Sequence, residues 1–412
     1  MIQFERFTLP NGLKVLLHND KSTPMVAVNI VYNVGSRDED PDHTGFAHLF
    51  EHLMFGGSRN VPDFDAPLQR AGGESNAMTL TDYTDYYLTL PAANLETALW
   101  LESDRMNALA FSAESLEIQR QVVIEEFKQS YLNQPYGDAM LLLKPLAYRV
   151  HPYQWNPIGK EISHIANAKM EEVKDFFYRF YRPNNAIICI AGNLDMERTK
   201  DLVFKWFADI PAGEPLVRNL PQEPPQLEPR YLNVERKVPN DLLVKAYRCC
   251  RRSDEQFYPT DLISDLLSNG KSARLQQGLV EENQIFSNIS AYVTGSFDEG
   301  LFIISGNPCE GVSLETADAA LTALLRQLHE EPVPAAELQK TKNKIRTLLY
   351  YADLQVQDKA MNLAIFELLD KAERYDWEES LYEGVTAEQI MEISGKLFTD
   401  NNGSTLYYRA IE

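Results

Sequence analysis

Residues 44–57 read TGFAHLFEHLMFGG and combine helix-boundary signals with three residues capable of metal chemistry. Thr44 is a residue type that begins helices and paired glycines often end them, so the pattern predicts a helix over residues 44–55. Positions four apart lie on one face of a helix, which brings the imidazoles of His48 and His52 together. Two neutral imidazoles are half of a zinc site, because a catalytic zinc takes three protein ligands and a water.

A carboxylate accompanies the two histidines. Glu51 lies three positions after His48 on the same side, where it can take a proton from a water at that site. The order is H-x-x-E-H, the inverse of the commoner H-E-x-x-H. The alternative is a surface helix that carries these residues by chance. Apolar side chains fill most of the other positions, so we expect a buried helix, whose ionisable groups need partners or a metal.

Composition limits the classes of protein to be considered. The chain has 412 residues, of which 44% are hydrophobic, and this predicts a globular protein of two domains. Its net charge of −21 argues against binding to nucleic acid or to anionic membranes, although an acidic surface could favour basic peptides. No apolar run is long enough for a transmembrane helix, so we expect no membrane insertion.

The first residues and the cysteines suggest a compartment. Residues 1–7 lack a basic segment followed by an apolar one, so no signal peptide is expected. The chain has four cysteines, and neither the adjacent pair Cys249 and Cys250 nor any C-x-x-C spacing suggests a disulfide. We expect all four cysteines at buried strand positions in a reducing, cytoplasmic environment.

A proline-rich segment divides the chain. Residues 211–229 contain six prolines, which forbid regular structure and predict a linker. The predicted domains are therefore residues 1–210, which carry the zinc site, and residues 230–412. Both combine alternating strand patterns with amphipathic helices. We predict an α+β fold of two lobes, each a mainly antiparallel sheet flanked by helices.

The two halves show traces of an internal duplication. The sequence LETA occurs at residues 95–98 and again at residues 314–317, each time after a strand pattern and a proline. Aligning Gly57 with Gly270 sets Asp261, Ser264 and Asp265 opposite His48, Glu51 and His52. A pseudo-two-fold pair of lobes with one metal per chain follows from this alignment.

The third metal ligand must come from another segment. None of the other five histidines has helical spacing that recommends it, so a carboxylate is expected. A helix predicted over residues 113–132 contains Glu125 and Glu126, and Glu126 shares a face with Val122 and Val123. This geometry favours Glu126, whereas two solvated glutamates on a surface helix would be the alternative.

The chain resembles the pitrilysin/insulinase family of zinc peptidases, the inverzincins. It is most similar to the short branch that includes the mitochondrial processing peptidase β-subunit and bacterial homologues. The resemblance begins with His48, Glu51 and His52 in a T-G-x-A-H-x-x-E-H-x-x-F-x-G context. It extends along nearly the whole chain through residues 9–13, the block from Gly72 to Tyr86, residues 181–186, and Gly192-Asn193.

The resemblance implies further site residues. The family's third ligand is a glutamate whose distance from the second histidine matches Glu126, which lies 74 positions beyond His52. Many relatives carry another glutamate seven positions earlier, where this chain has Gln119, so we expect its amide to retain a hydrogen bond near the ligands while metal affinity changes. The resemblance also implies that a peptide adds as an extra strand beside Asn76 and Ala77.

A second difference concerns partners. Relatives that are active without a partner subunit carry an arginine in the second half and a tyrosine seven positions later. At these two positions this chain has Val280 and Ser287. The resemblance therefore implies a heterodimer with a homologous subunit that lacks zinc and supplies the Arg/Tyr pair. A homodimer that manages without the pair is the alternative.

Together, the residues and the resemblance predict a zinc metalloendopeptidase acting on peptides or unfolded segments in an enclosed chamber. His48, His52 and Glu126 would hold one Zn²⁺, and Glu51 would accept a proton from water and pass it to the leaving amine. Two alternatives remain: a non-catalytic scaffold subunit of the same fold, and a different zinc hydrolase or metal-binding module. The intact motif argues against the scaffold, and the strand at Asn76-Ala77 favours peptide substrates.

Overall fold

The computed structural model describes residues 2–411 and divides into two compact units. The first unit comprises Met1–Phe127, Trp155–Leu220 and Tyr350–Trp377. The second unit comprises Lys128–Gln154, Pro221–Leu349 and Glu378–Glu412. Each unit contains one sheet with helices packed on it, as predicted for an α+β protein.

The strands follow the alternating and β-branched segments of the sequence. They are β1 (Glu5–Thr8), β2 (Lys14–Asn19), β3 (Met25–Tyr32), β4 (Glu74–Thr79), β5 (Thr84–Pro91), β6 (Ala186–Gly192), β7 (Arg230–Arg236), β8 (Leu242–Arg248), β9 (Phe286–Val293), β10 (Leu301–Pro308) and β11 (Gly403–Ala410).

Fourteen α-helices accompany these strands within residues 2–411. They are α1 (Phe46–Leu53), α2 (Asp65–Arg70), α3 (Leu95–Asn107), α4 (Ala113–Phe127), α5 (Ala139–Ala147), α6 (Ile162–Ala166), α7 (Met170–Phe180), α8 (Met196–Phe207), α9 (Phe257–Ser268), α10 (Leu314–Glu330), α11 (Ala335–Ala352), α12 (Val356–Leu369), α13 (Arg374–Glu383) and α14 (Ala387–Leu397). The residues after α4, 128–132, and residues 276–282 form wider π-type turns.

The two sheets share one topology. The first sheet has the order β1-β2-β6-β3-β5-β4, and the second has the order β7-β11-β8-β10-β9. Without the extra strand β1, the orders correspond strand for strand. In each sheet one pair is parallel, β2 with β6 or β7 with β11, and every other pair is antiparallel. The predicted pair of mainly antiparallel, duplicated lobes is therefore confirmed.

Each unit takes one helix from the other half of the sequence. Helix α12 packs on the first sheet, where Leu363 and Ala364 join a buried cluster with Val31 and Ile187. Helix α5 packs on the second sheet, where Leu143 joins a buried cluster with Val244, Leu406 and other strand residues.

The predicted domains, residues 1–210 and 230–412, therefore require a correction. Residues 128–154 belong to the second unit and residues 350–377 to the first. A sheet has two apolar faces to cover, and neither hydrophobic periodicity nor chain order indicates which helix covers which face.

The predicted linker, residues 211–229, has no regular structure, as its prolines require. It is nevertheless fastened by charged side chains. In the first unit, Arg218 Nε donates to Asp38 Oδ1 at 2.6 Å. In the second unit, the Glu223 carboxylate accepts backbone N–H groups of residues 149–151, with the shortest bond of 2.8 Å from Val150. The segment is an ordered connection between units rather than a loose tether.

The cysteines only partly follow the expectation. All four are free thiols, and Cys189 is buried in β6. Cys249 and Cys250 follow β8, Cys309 follows β10, and all three are half-buried rather than enclosed in strands. Among residues 2–411, no helix has the length and apolarity needed to cross a membrane.

Candidate metal centre

Helix α1 carries the histidines, but it spans Phe46–Leu53, shorter by two residues at each end than predicted. Its N-cap is Gly45, with a φ of +92°, and not Thr44. The Thr44 hydroxyl instead accepts the Lys160 N–H at 2.8 Å and lies 2.8 Å from His164 Nδ1. A Cβ at Gly45 would lie 2.8 Å from the Ile158 carbonyl oxygen, so only glycine suits both this conformation and this close contact.

The opposite side of α1 is anchored in the core of the first unit. Leu49 and Phe50 are fully buried, and the Phe50 ring stacks on Phe176 and Tyr181 at centroid distances of 5.1 and 5.2 Å. The predicted burial of the helix is confirmed. Because the apolar side is held in this way, the polar side of α1 has a defined orientation.

The polar side brings His48, His52 and Glu126 together. The Glu126 Oε2 atom lies 3.7 Å from His48 Nε2 and 3.4 Å from His52 Nε2. The two imidazole centroids are 4.9 Å apart, and their rings are nearly perpendicular. Metal–ligand bonds of about 2.0–2.2 Å in a tetrahedral arrangement place ligand atoms roughly 3.3–3.6 Å apart. The observed spacings therefore suit a single small cation.

The structure also distinguishes between the two candidate glutamates on α4. Glu126 is half-buried and faces the imidazoles, whereas Glu125 is exposed. All three ligand atoms lie within 4.8 Å of one another, and within residues 2–411 no other such group of His, Cys, Asp or Glu occurs.

Electrostatics favour the protonation states that a metal requires. Burial lowers the pKa of the His48 imidazole, although the Glu126 carboxylate acts in the opposite direction. Contact with His52 lowers the pKa of the Glu126 carboxyl, against the effect of partial burial. Neutral imidazoles and an ionised carboxylate are the forms that bind a metal, so the donor set is prepared for a cation.

The hydrogen bonding of His48 provides an independent test of the fit. Its Nδ1 atom is buried and has no hydrogen-bond partner among the described residues. Its Nε2 atom lies 3.7 Å from Glu126, beyond hydrogen-bonding distance. A cation at Nε2 would give the lone pair of that nitrogen a partner that no described residue supplies. The nitrogen, nitrogen and oxygen donors suit zinc.

Comparison with known proteins identifies the family. Residues 14–152 match the model of the insulinase family, peptidase family M16, and residues 167–345 match that of the peptidase M16 inactive domain. The zinc protease PqqE of Helicobacter pylori is 32% identical over 346 residues, which cover 82% of this chain and 77% of that protein. The chain belongs to peptidase family M16, the pitrilysin/insulinase family.

Other M16 relatives extend the match over the whole chain. The uncharacterized zinc protease YmxG of Bacillus subtilis is 24% identical over 400 residues, which cover 96% of each protein. The crystal structure of a protease from Helicobacter pylori has a TM-score of 0.94 at 27% identity and covers 99% of this chain and all of that one. The metal implied by the names of these relatives is zinc. The match to the M16 peptidase model contains His48, Glu51, His52 and Glu126.

Glu51 lies on the same helix as the two histidines, and its role as a proton acceptor stays a prediction. It is half-buried on α1, one residue before His52. Its negative charge is felt by His48, whose pKa it tends to raise, and by the phenols of Tyr86 and Tyr181. The carboxylate is thus close enough to the ligand cluster to interact with it electrostatically.

Gln119 does not make the contact expected from its position. It is half-buried on α4, two turns before Glu126, but no hydrogen bond within residues 2–411 joins it to the metal ligands. The prediction that Gln119 forms a hydrogen bond near the ligands is therefore wrong. The negative charge of a glutamate at this position would draw it towards the imidazoles. The amide of Gln119 is neutral and lacks this attraction.

The strand predicted to receive a peptide lies at an open edge. Helix α1 and strand β4 are neighbours, and within residues 2–411 β4 pairs only with β5. The Ala77 N–H is satisfied locally by Asn76 Oδ1 at 2.8 Å instead of by another strand. An incoming peptide could replace this bond with a strand-to-strand one. Substrate binding by Asn76 and Ala77 stays a prediction.

The second unit has Val280 and Ser287 at the two positions on which the partner prediction depends, in place of an arginine and a tyrosine. Val280 packs against the hydrophobic core of that unit, and Ser287 Oγ donates to the Asn307 carbonyl at 3.1 Å. Both side chains serve their own unit. The heterodimer that their identities suggested is not tested by this observation.

One residue that matters to α1 was missed from the sequence. Glu39 is buried, and its carboxylate accepts the backbone N–H groups of Gly45 and Ala47 at 3.0 and 2.9 Å. It lies six positions before the N-cap Gly45, too far for the usual capping patterns, and no sequence signal distinguishes it from the neighbouring acidic residues.

Proposed function

We propose that this M16 chain is a zinc-dependent endopeptidase in which His48, His52 and Glu126 hold the ion. The observation that carries the proposal is the convergence of these three side chains, from two helices that are distant in sequence, on one point. The names of the relatives support zinc as the metal.

In the proposed reaction, bound zinc would polarise both the attacking water and the scissile carbonyl. The Glu51 carboxylate accepts a proton from that water and then delivers it to the nitrogen of the leaving amine. The open edge of β4 aligns the peptide as an added strand, so affinity comes from main-chain hydrogen bonds and sequence selectivity is low.

We further propose that the active species contains a second, homologous subunit, with a homodimer as the alternative. Val280 and Ser287 stand where a cation and a phenol would contact the substrate, and both are engaged within the second unit. The partner would be a zinc-free relative carrying the Arg/Tyr pair.

The alternative function is that of a non-catalytic subunit of the same fold. The match of residues 167–345 to the M16 inactive-domain model favours it only for the second half of the chain. The ligand cluster and Glu51 lie outside that match. For this reason we prefer the peptidase.

The deciding experiment compares the wild-type chain with Glu51→Gln, with and without a co-purified homologue. We expect both proteins to contain one zinc by elemental analysis and only the wild type to cleave a quenched peptide, with a loss of about 10³-fold or more in the variant. Glu125→Gln is the matched control, since it makes the same change on the exposed side of α4. Turnover retained by Glu51→Gln would remove Glu51 from the proton-transfer role. A zinc-loaded wild type that cleaves nothing, alone or with its partner, would favour the non-catalytic subunit.

A further inference from the structure

Glu39 forms a buried anchor at the beginning of the histidine helix. Its side chain is 6% exposed, and it accepts three hydrogen bonds. Ala47 N donates to Oε1 at 2.9 Å, and Gly45 N and Trp155 Nε1 donate to Oε2 at 3.0 and 3.1 Å. All three partners are donors, so the geometry matches an acceptor-only carboxylate.

This carboxylate replaces the cap that α1 lacks. The first N–H groups of a helix have no partner within the helix, and a side chain at the N-cap usually satisfies one of them. Here the N-cap is Gly45, which has no side chain to offer. Glu39 satisfies two of these groups.

Burying the Glu39 side chain costs free energy, which argues that it does more than cap the helix. Burial raises the pKa of Glu39 to about 8, although the hydrogen bonds from Ala47, Gly45 and Trp155 lower it. A neutral cap such as serine or asparagine would satisfy the same donor without burying an acid.

The position of the anchor connects it to the metal ligands. Ala47 directly precedes His48 in the chain. Around Glu39 the structure is tightly fixed, because the Trp155 indole also donates to the Ser36 carbonyl at 2.9 Å and Gly45 packs against the Ile158 carbonyl. The anchor therefore restrains both the rotation and the axial position of α1, on which the direction of both Nε2 atoms depends.

We propose that Glu39 is a positioning residue of the metal centre: its carboxylate holds the first turn of α1 so that His48 and His52 point at Glu126. The inference rests on the proposed metal site but not on catalysis. Metal-binding groups are commonly oriented by hydrogen-bonded neighbours whose loss costs about 10–100-fold in metal affinity.

The test measures metal binding by Glu39→Ala and Glu39→Gln. Asp195→Ala serves as the control, because Asp195 Oδ1 caps α8 in the same unit by accepting the Arg198 N–H at 3.2 Å. Zinc affinity is measured by competition with a chelator, and the visible spectrum of the Co²⁺-loaded protein reports ligand geometry. The melting temperature of each metal-free protein reports stability.

We expect Glu39→Ala to weaken zinc binding by about 10-fold or more and to change the Co²⁺ spectrum. Glu39→Gln keeps one acceptor and should show a smaller effect in the same direction. The control should lose stability yet bind zinc within about twofold of the wild type.

Two results would overturn the proposal. If Glu39→Gln, and Glu39→Ala where it folds, keep the wild-type zinc affinity and Co²⁺ spectrum, Glu39 is only a structural cap. If Asp195→Ala weakens zinc as much as the Glu39 variants, general destabilisation explains the effect. A wild type that binds no zinc would refute the metal site itself, whereas a wild type that binds zinc without cleaving peptides would leave the role of Glu39 intact.

Discussion

Helices α1 and α9 occupy the same place in two sheets of one topology, but among residues 2–411 only α1 carries residues of a candidate metal centre. Helix α1 connects β3 to β4, and α9 connects β8 to β9, the corresponding strands of the second unit. Both bury an apolar side. They differ in their polar residues, because Asp261, Ser264 and Asp265 of α9 align with His48, Glu51 and His52 of α1.

The polar residues of α9 are bound to one another and to their own unit. Asp261 Oδ2 accepts the Tyr382 hydroxyl at 2.7 Å, and Asp265 Oδ1 accepts Asn269 Nδ2 at 2.7 Å. Close by, Tyr258 donates to the Glu378 carboxylate at 2.6 Å. The second unit uses these positions for internal hydrogen bonds, which leave no free donor set for a cation.

The neighbouring helix contributes the opposite charge in each unit. Helix α4 presents the Glu126 carboxylate to the histidines. Helix α11, which follows β10 and α10 as α4 follows β5 and α3, presents Lys344, whose Nζ donates to the Asn269 carbonyl at 2.5 Å. Burial raises the pKa of nearby Asp265, against the opposing effect of the Lys344 ammonium. The comparison shows that one scaffold becomes a metal site or an inert core through a few side chains and the sign of one charge.

The largest expected effect comes from replacing Glu126 of the first unit with a lysine, which copies the positive charge of Lys344 in the second unit. Glu126→Lys should reduce bound zinc from one per chain to none, because it removes an anionic ligand and adds a cation beside two imidazoles. Elemental analysis of the purified protein measures this directly. Glu125→Lys, on the exposed side of the same helix turn, should keep the zinc. A Glu126→Lys protein with a full equivalent of zinc would mean that another residue is the third ligand.

A smaller effect should appear in the pH dependence of stability. Burial raises the pKa of Asp261 to about 6 in the folded chain, although the Tyr382 hydroxyl lowers it, whereas an unfolded aspartate has a pKa of about 4. The contribution to stability is therefore complete below about pH 4 and is lost as the pH rises through 6.

Between about pH 4 and pH 6 the free energy of unfolding of the wild type should fall as Asp261 ionises. In Asp261→Asn this fall should be smaller by on the order of 1–2 kcal/mol. Urea unfolding at a series of pH values measures the slope. Asp195→Asn, an exposed acid in the first unit, is the control. An unchanged slope in Asp261→Asn would show that the carboxyl titrates normally.

The smallest effect is expected from copying the motif into the second unit. The triple variant Asp261→His, Ser264→Glu, Asp265→His should still bind one zinc per chain, because no carboxylate in the second unit takes the place of Glu126 and Lys344 is nearby. The stoichiometry of zinc after dialysis is the measurement. Two equivalents would show that the helix alone determines metal binding.

Local patterns in the sequence predicted much of the site. The i, i+4 spacing of His48 and His52, the apolar side of α1 and the preference for Glu126 over Glu125 depend on helical geometry, which a few residues determine. The same reasoning misplaced the N-cap at Thr44, since it could not foresee that Lys160 and His164 would engage the hydroxyl.

Long-range features were harder to predict. The role of Glu39 depends on a buried contact between a loop and a helix end, and the missing contact of Gln119 depends on the packing of α4. Helix α5 contains Pro145, a residue that normally argues against a helix interior. Tertiary packing supplies what local propensity does not show at these positions.

The late position of α12 in the chain affects how the protein can be made. The first sheet is complete once β6 has been synthesised, yet the apolar face around Val31 and Ile187 awaits a helix that ends at Leu369. On the ribosome, the nascent polypeptide must carry this uncovered surface while the entire second sheet except β11 emerges. A gene cut between the two halves would accordingly produce two aggregation-prone fragments, because each would lack the helix that covers its own sheet and carry the helix that covers the other.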